Sequence, residues 1–293
     1  MTPTDVPYAA PGGKELLARV YRPGAVEGDP VLRHPAVVEV HGGAWGTLDR
    51  TAGELYCSAL AGAGFVVVSV DFRQGPDHRH PAGSADVTAA VRWVRTSADE
   101  LGVDPERIGL VGSSSGGHLA LLAAIRPEAD EHRGVPLVVR GGVVEPAGNA
   151  SASVACVAAL WPPVDPLARY RYCQDFLATG PSDDPRFRPE LLVANTRSYF
   201  GDEATMSEAS IAGLVRDGHA MALPPAWVAH PALDRNVPVA LVDELATAWR
   251  DAGGELDVTT YPGEPHAFGH RRGPSTDRFV ADLTRFLRSH LTG

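Results

Sequence analysis

The sequence predicts an α/β domain in which a largely parallel sheet is covered by helices on both faces. Three observations carry that expectation. Apolar runs of strand length alternate with segments of helical period along most of the chain. The composition is globular, with 44% hydrophobic and 21% charged residues, and 31 glycines and 25 prolines stay below a low-complexity level. The length, 293 residues, exceeds the usual span of one domain but suits a large α/β domain carrying an insertion, so one unit over 1–293 is expected.

Taken in order, Leu16 to Tyr21, Ala36 to Val40 and Phe65 to Val70 are short apolar runs rich in β-branched residues, and read as strands. Val87, Ala90, Val91 and Val94 then recur at i, i+3, i+4, i+7, the apolar stripe of a helix laid on a sheet. Ile108 to Val111 and Val154 to Leu160 are the next strands. Residues 162–223 break the alternation: prolines interrupt them, and aromatics recur at Tyr170, Tyr172, Phe176, Phe187, Tyr199 and Phe200. A structureless loop of that length is uncommon inside a compact domain, so short helices forming a cap or lid are expected there. Ala226 to Ala229 resumes the strands, Val242, Leu245, Ala246 and Trp249 mark a second helical stripe, and Leu256 to Tyr261 is the last strand. A final helix carries Val280, Leu283 and Leu287.

Charge and cysteine content narrow the function classes. With 26 basic and 36 acidic side chains the net charge is −10, which offers no general attraction to phosphate backbones or anionic bilayers. Neither nucleic acid nor a membrane is expected as a partner. Cys57, Cys156 and Cys173 are odd in number and lack CxxC or Cys/His ligand spacing, so free thiols are expected, without disulfide framework or zinc site. Met1 to Gly13 lacks a basic start followed by an apolar run, and no stretch approaches 18 apolar residues, so the expectation is a soluble cytoplasmic protein. No repeat or coiled-coil seam defines an oligomeric state.

The chemistry concentrates at Ile108-Gly109-Leu110-Val111-Gly112-Ser113-Ser114-Ser115-Gly116-Gly117-His118. A short apolar strand enters a Gly/Ser turn and then an Ala/Leu-rich helix, the setting of a GxSxG nucleophile elbow, in which small neighbours allow a strained turn to lift one hydroxyl above the sheet edge. Of three serines, only Ser114 has glycine at both −2 and +2. A flexible linker would not follow a buried strand, and a phosphate loop would need a Walker lysine or GxGxxG spacing. Upstream, His41-Gly42-Gly43-Ala44-Trp45 follows the strand Ala36 to Val40. Paired glycines there can turn backbone N–H groups towards an oxyanion, so Gly42 and Gly43 are expected as two donors and the N–H of Ser115 as a third.

HGGAW followed by GSSSGG resembles the α/β-hydrolase superfamily, in particular the hormone-sensitive-lipase-like esterases and the similar kynurenine-formamidase-like enzymes. The resemblance covers most of the chain. Asp71-Phe72-Arg73 with Pro81-Ala82 and Asp86 is similar to a structural segment of the family, and Tyr199-Phe200-Gly201 with Glu208-Ala209-Ser210 to the return from cap to core. Two departures are Ser113, where these families usually carry an acidic residue, and Ala44 in place of a third glycine. The resemblance implies an α/β-hydrolase fold with a helical cap at 162–223 and a triad in the order Ser, Asp, His. Tyr261-Pro262-Gly263-Glu264-Pro265-His266-Ala267-Phe268 matches the YPGxxHxF loop, which makes His266 the general base, with His270 the nearest rival. Asp234, in Asp234-Arg235-Asn236-Val237-Pro238, matches DxxVP and precedes His266 by 32 residues, room for one helix and one strand. Asp243 is its rival, inside the following helix. His41 and His118 are read as bracing their turns.

These residues imply a serine carboxylic-ester hydrolase acting on small or short-acyl esters through Ser114, His266 and Asp234, with no metal or organic cofactor. The alternatives are an arylformamidase or amidase on the same machinery, which HGGAW favours mildly, and a non-catalytic small-molecule receptor of the same fold.

Overall fold

The computed structural model describes residues 2–24, 33–140, 142–144, 150–180 and 182–292. In chain order the elements are β1 (Thr4–Ala9), β2 (Leu16–Tyr21), β3 (His34–Val40), α1 (Glu54–Gly62), β4 (Val66–Val70), α2 (Ala82–Thr96), α3 (Ala98–Leu101) and β5 (Val103–Ser113). Next come α4 (Ser115–Ile125), β6 (Leu137–Val139), β7 (Gly142–Val144), β8 (Cys156–Leu160), α5 (Pro166–Thr179), α6 (Pro189–Phe200), α7 (Glu203–Glu208) and α8 (Ile211–Arg216). β9 (Ala226–Pro231), α9 (Val239–Asp251), β10 (Leu256–Tyr261) and α10 (Pro274–Leu291) complete the fold.

The strands form one sheet in the order β10-β9-β8-β5-β3-β4-β2-β1-β6-β7. The run from β10 to β4 is parallel, and the strands from β2 to β7 pair antiparallel at one edge. The expected mostly parallel sheet is therefore present. β5 is longer than the apolar run Ile108 to Val111, because ladder pairing with β3 reaches back to Val103. β1, β6 and β7 lie outside the strands that the sequence pattern marks. β1 (TDVPYA) contains a proline and is half exposed, while β6 and β7 are three residues each, too short for a period to register.

Successive residues of the central strands face opposite sides. Ala36, Val38 and Val40 of β3 join the core beneath α2, α4 and α9, whereas Val37 joins the core beneath α1 and α10. α9 buries Val242, Leu245, Ala246 and Trp249, as its period requires. In α10 the buried face runs through Phe279, Leu283, Leu287 and Leu291, with Val280 half-buried beside it. α4 is buried along its whole length, which fits its apolar circumference: the sheet lies on one side and α8 with the 162–223 segment on the other. That segment is helical, as α5 to α8. Among the described residues no helix is long and apolar enough to cross a membrane.

One buried carboxyl ties β3, β4 and α1 together beneath the loop that follows β3. Glu39 is fully buried, and Tyr56 Oη donates to its Oε1 at 2.6 Å. Ser69 Oγ meets Oε2 and also donates to Arg50 O at 2.8 Å. A serine has one proton, so both contacts are satisfied together when Glu39 is itself protonated and donates to Ser69. Burial raises the Glu39 pKa from 4.5 to about 7, against the lowering effect of the Ser69 and Tyr56 hydrogen bonds.

Between those two pH values the folded state holds a proton that the unfolded chain has released. The stability due to this group is therefore whole below pH 4.5 and lost as pH rises through 7. Glu39→Gln removes the titration. The unfolding free energy of the wild type, measured relative to Glu39→Gln by urea denaturation, should fall by about 3 kcal/mol between pH 4 and pH 8. Parallel profiles for the two proteins would show that Glu39 is not a buried acid.

Candidate active site

Ser114 occupies the single residue between β5 and α4, at φ 50°, ψ −122°. The neighbouring glycines explain why the turn can form. A Cβ on Gly116 would lie 2.1 Å from Val40 O and 2.3 Å from His41 O, and one on Gly112 would lie 2.2 Å from Gly116 O. Side chains at these positions would force the strand and helix apart. The turn is pinned from below, where Ser114 N donates to Leu160 O at 2.8 Å, and closed above, where Gly117 N donates to Ser114 O at 2.8 Å. Ser113 and Ser115 are fully buried, while Ser114 is half-buried.

Asp234 and His266 are brought together by the ends of adjacent strands. β9 and β10 are paired to their last residues, Pro231 against Tyr261. The loops beyond are joined by Ala232 N to Tyr261 O at 3.0 Å and Leu233 N to Glu264 O at 2.9 Å. His266 Nδ1 is 2.7 Å from Asp234 Oδ2, and His266 Nε2 is 3.0 Å from Ser114 Oγ. The other carboxylate oxygen of Asp234 accepts from Asn236 N at 2.8 Å and Val237 N at 3.0 Å. A carboxylate can only accept, so Nδ1 carries the proton and Nε2 is left to accept from the Ser114 hydroxyl. The Asp234 side chain is fully buried and that of His266 is 13% exposed.

The loop after β3 runs beside Ser114: a Cβ on Gly42 would lie 3.2 Å from Ser114 Cβ. Gly43 has φ 103°, and a Cβ there would overlap Thr47 O at 1.9 Å, so glycine is required. Ala44 and Trp45 follow at φ 51° and 58°, and Gly43 O accepts from Gly46 N and Thr47 N to close the turn. The N–H groups of Gly42, Gly43 and Ser115 meet no acceptor among the described residues. Trp45 is fully buried, stacked parallel to Tyr199 at 5.9 Å and edge-on to Phe200 and His118.

The remaining residues singled out by sequence fall away from the proton path. His41 donates Nδ1–H to Gly42 O and stacks on Phe72, and His118 donates Nε2–H to Ala209 O. Burial lowers the pKa of His41 and pushes that of His118 down to about 3, so both stay neutral. His270 contacts Ala52 O, and Asp243 is exposed on α9. Asp86 is buried and ion-paired with Arg73 at 2.8 Å, a structural contact. Tyr199 Oη accepts from Gly83 N, joining the 162–223 segment to α2, and within that segment Ser210 Oγ donates to Asp165. The three cysteines are free and buried. Among the described residues no group of three or more His, Cys, Asp or Glu is placed to hold a metal.

Sequence reading missed several neighbours of the site. Trp161, at φ 44°, packs edge-on to His266 at 6.4 Å, and the only hint was its position directly after a strand. Asn195 approaches the loop at Gly46, and Arg169 lies over Trp45. Neither belongs to a recognisable motif.

Comparison with known proteins agrees with this architecture. A family model described as alpha/beta hydrolase fold matches residues 37–270. Esterase LipQ of Mycobacterium tuberculosis is 31% identical over 268 residues, covering 90% of this chain and 57% of LipQ. Carboxylesterase NlhH of the same organism is 43% identical over 131 residues, covering 43% of this chain and 38% of NlhH. The chain thus spans little more than half the length of LipQ and less of NlhH. Among solved structures, the metagenomic carboxylesterase EstE1 superimposes with a TM-score of 0.77 at 24% identity, covering 99% of this chain and 89% of EstE1. Propionate-bound Est2 of Thermogutta terrifontis gives 0.73 at 23% identity, covering 98% and 94%. Both likenesses speak for the fold. The family match and the LipQ similarity agree with the strand order and the elbow: the chain belongs to the alpha/beta hydrolase fold family, on its hormone-sensitive-lipase-like branch.

Proposed function

We propose that the protein is a serine carboxylic-ester hydrolase of small or short-acyl esters, a single domain over 1–293 with 162–223 as its cap. The observation that carries this reading is the continuous relay from Ser114 Oγ through His266 to Asp234, with spacings of 3.0 and 2.7 Å. Ser114 Oγ attacks the ester carbonyl as its proton passes to His266 Nε2. The negative charge that develops on the carbonyl oxygen is held by the N–H groups of Gly42, Gly43 and Ser115. His266 returns the proton to the departing alcohol, leaving an acyl group on Ser114, and then takes a proton from the water that releases it. Asp234 keeps the imidazole in one tautomer and stabilises its cation. The chain's own residues account for each of these steps.

The similarity to relatives named as esterases supports the ester class. One of them, ethyl acetate hydrolase of Pseudomonas putida, is 35% identical over 136 residues and suggests a small substrate.

A fluorophosphonate probe should label the peptide containing Ser114 and no other, and labelling that survives Ser114→Ala would dismiss the assignment. On p-nitrophenyl esters, turnover should peak between acetate and hexanoate and decline at laurate; a maximum at palmitate would mark a lipase. Asp234→Asn presents an amide that favours the wrong tautomer, and should lower kcat by about 10⁴. Asp243→Asn, on the exposed face of α9, should change stability by no more than about 0.5 kcal/mol and leave kcat intact. The reverse ranking in steady-state assays would move the acid to Asp243.

A further inference from the structure

Packed on the loop that carries Gly42 and Gly43 is a buried cation with no ion-pair partner among the described residues. Arg169, in the first turns of α5, is 2% exposed and takes part in no ion pair among the described residues. Its Nη2 donates to Thr196 Oγ1 of α6, its Nε is buried without an acceptor, and Nη1, which meets no acceptor among the described residues, is not fully buried. The buried Arg92 shows how this chain treats a structural arginine. Its donors reach Ala150 O, His132 O, Pro127 O and the Glu128 carboxylate. A guanidinium has five N–H donors, and an unmet buried Nε–H is costly unless a ligand completes it.

Arg169 packs on a residue of the loop that runs beside Ser114. Its guanidinium carbon is 5.0 Å from the ring centre of Trp45, two residues beyond Gly43; this cation–π contact supplies attraction but no acceptor. α5 starts shortly after Trp161, which packs on His266, and Pro162, which packs on Gly117 in the first turn of α4. The charge of Asp234 acts on Arg169, but that carboxylate already accepts from His266, Asn236 and Val237. Cys173, one turn along α5, is buried and its thiol is pushed up by that burial, so it supplies no anion.

We propose that Arg169 is a specificity residue that receives a carboxylate carried by the ester substrate, so that the substrate class is mono-esters of dicarboxylic acids or esters of hydroxy acids. The inference rests on the esterase reading above. A planar guanidinium with free Nε and Nη donors matches a carboxylate in two-point geometry. A chain of net charge −10 repels anions at long range, so selecting one requires a local cation of this kind. For monoethyl succinate the reaction is ordinary hydrolysis: water adds its oxygen to the acyl carbon, ethanol leaves, and succinate and a proton are released.

The test compares monoethyl succinate with ethyl 4-oxopentanoate, in which an acetyl group replaces the carboxylate. A second pair, 4-acetoxybutanoate and 5-acetoxypentan-2-one, places the charge on the alcohol side. On at least one pair the wild type should favour the anion about tenfold in kcat/KM, expressed in KM, the size expected of charge-assisted hydrogen bonds. Arg169→Met should bring that ratio to one or below, and Arg169→Lys, which keeps the charge without the fork, should fall between. A wild-type ratio near one on both pairs overturns the proposal. So does a folded Arg169→Met that slows both members of a pair equally, because that is the mark of a merely structural arginine.

Calorimetry on Ser114→Ala gives a readout without turnover. The preferred anion should bind about tenfold tighter than its neutral partner, and lose that advantage in Ser114→Ala/Arg169→Met. Hydrolysis of neutral esters without anion preference overturns this inference and leaves the esterase reading standing. Anion-selective binding without hydrolysis of any ester overturns the esterase reading and the substrate class with it, and leaves Arg169 as an anion site only.

Discussion

Behind Ser114, two stretches of backbone approach so closely that no side chain fits between them. The first turn of α4 lies against the end of β3 at Gly116, and folds back on the end of β5 at Gly112. Because this packing is backbone against backbone, the chain has one residue in which to reverse from strand to helix. Ser114 takes a left-handed φ of 50° to do so. The same contact sets the loop after β3 beside the serine, and the hydrogen bond from Ser114 N to Leu160 O ties the turn to β8. The elbow and the position of the glycine loop are thus consequences of one steric constraint.

Backbone strain is concentrated around that point. Of the non-glycine residues with positive φ among those described, Ala44, Trp45, Leu48, Ser114, Trp161 and Ala267 belong to the loops at this end of the sheet, and Arg140 alone lies elsewhere. Each costs on the order of 1–3 kcal/mol and persists where its surroundings leave no alternative. Here the surroundings are large buried aromatics. Trp45 and Trp161 are fully buried, against Tyr199 and Phe200 in the first case and Phe268 and Phe279 in the second. The strained loops are held by burial rather than by regular hydrogen bonding.

The helices of 162–223 are too short to be stable alone and depend on caps and on the core. Asp165, Asp202 and Ser210 each accept a backbone N–H at the start of α5, α7 and α8. Met206 and Ile211 are fully buried in the core, and Ala209 O accepts from His118 on α4. Packing this segment onto Trp45 is also what removes Arg169 from water.

The sequence by itself determined what depends on near neighbours in the chain. The periods of Val87 to Val94 and Val242 to Trp249 mark buried helix faces, and the alternation of apolar runs marks the parallel strands. The glycines at 112 and 116 single out Ser114, because a tight turn makes a local demand on residue size. The same helical period places Asp243 on a solvent face and leaves Asp234 in a loop. β1, with its internal proline, and the three-residue β6 and β7 carry too little periodicity to be read. Only the tertiary structure decided which distant groups meet. His266 reaches Asp234 because β9 and β10 end in register, Glu39 finds Tyr56 and Ser69 on neighbouring elements, and Arg169 finds no ion-pair partner among the described residues. Periodicity reports that a side chain faces inward; whether a partner waits there depends on segments that folding brings from elsewhere in the chain.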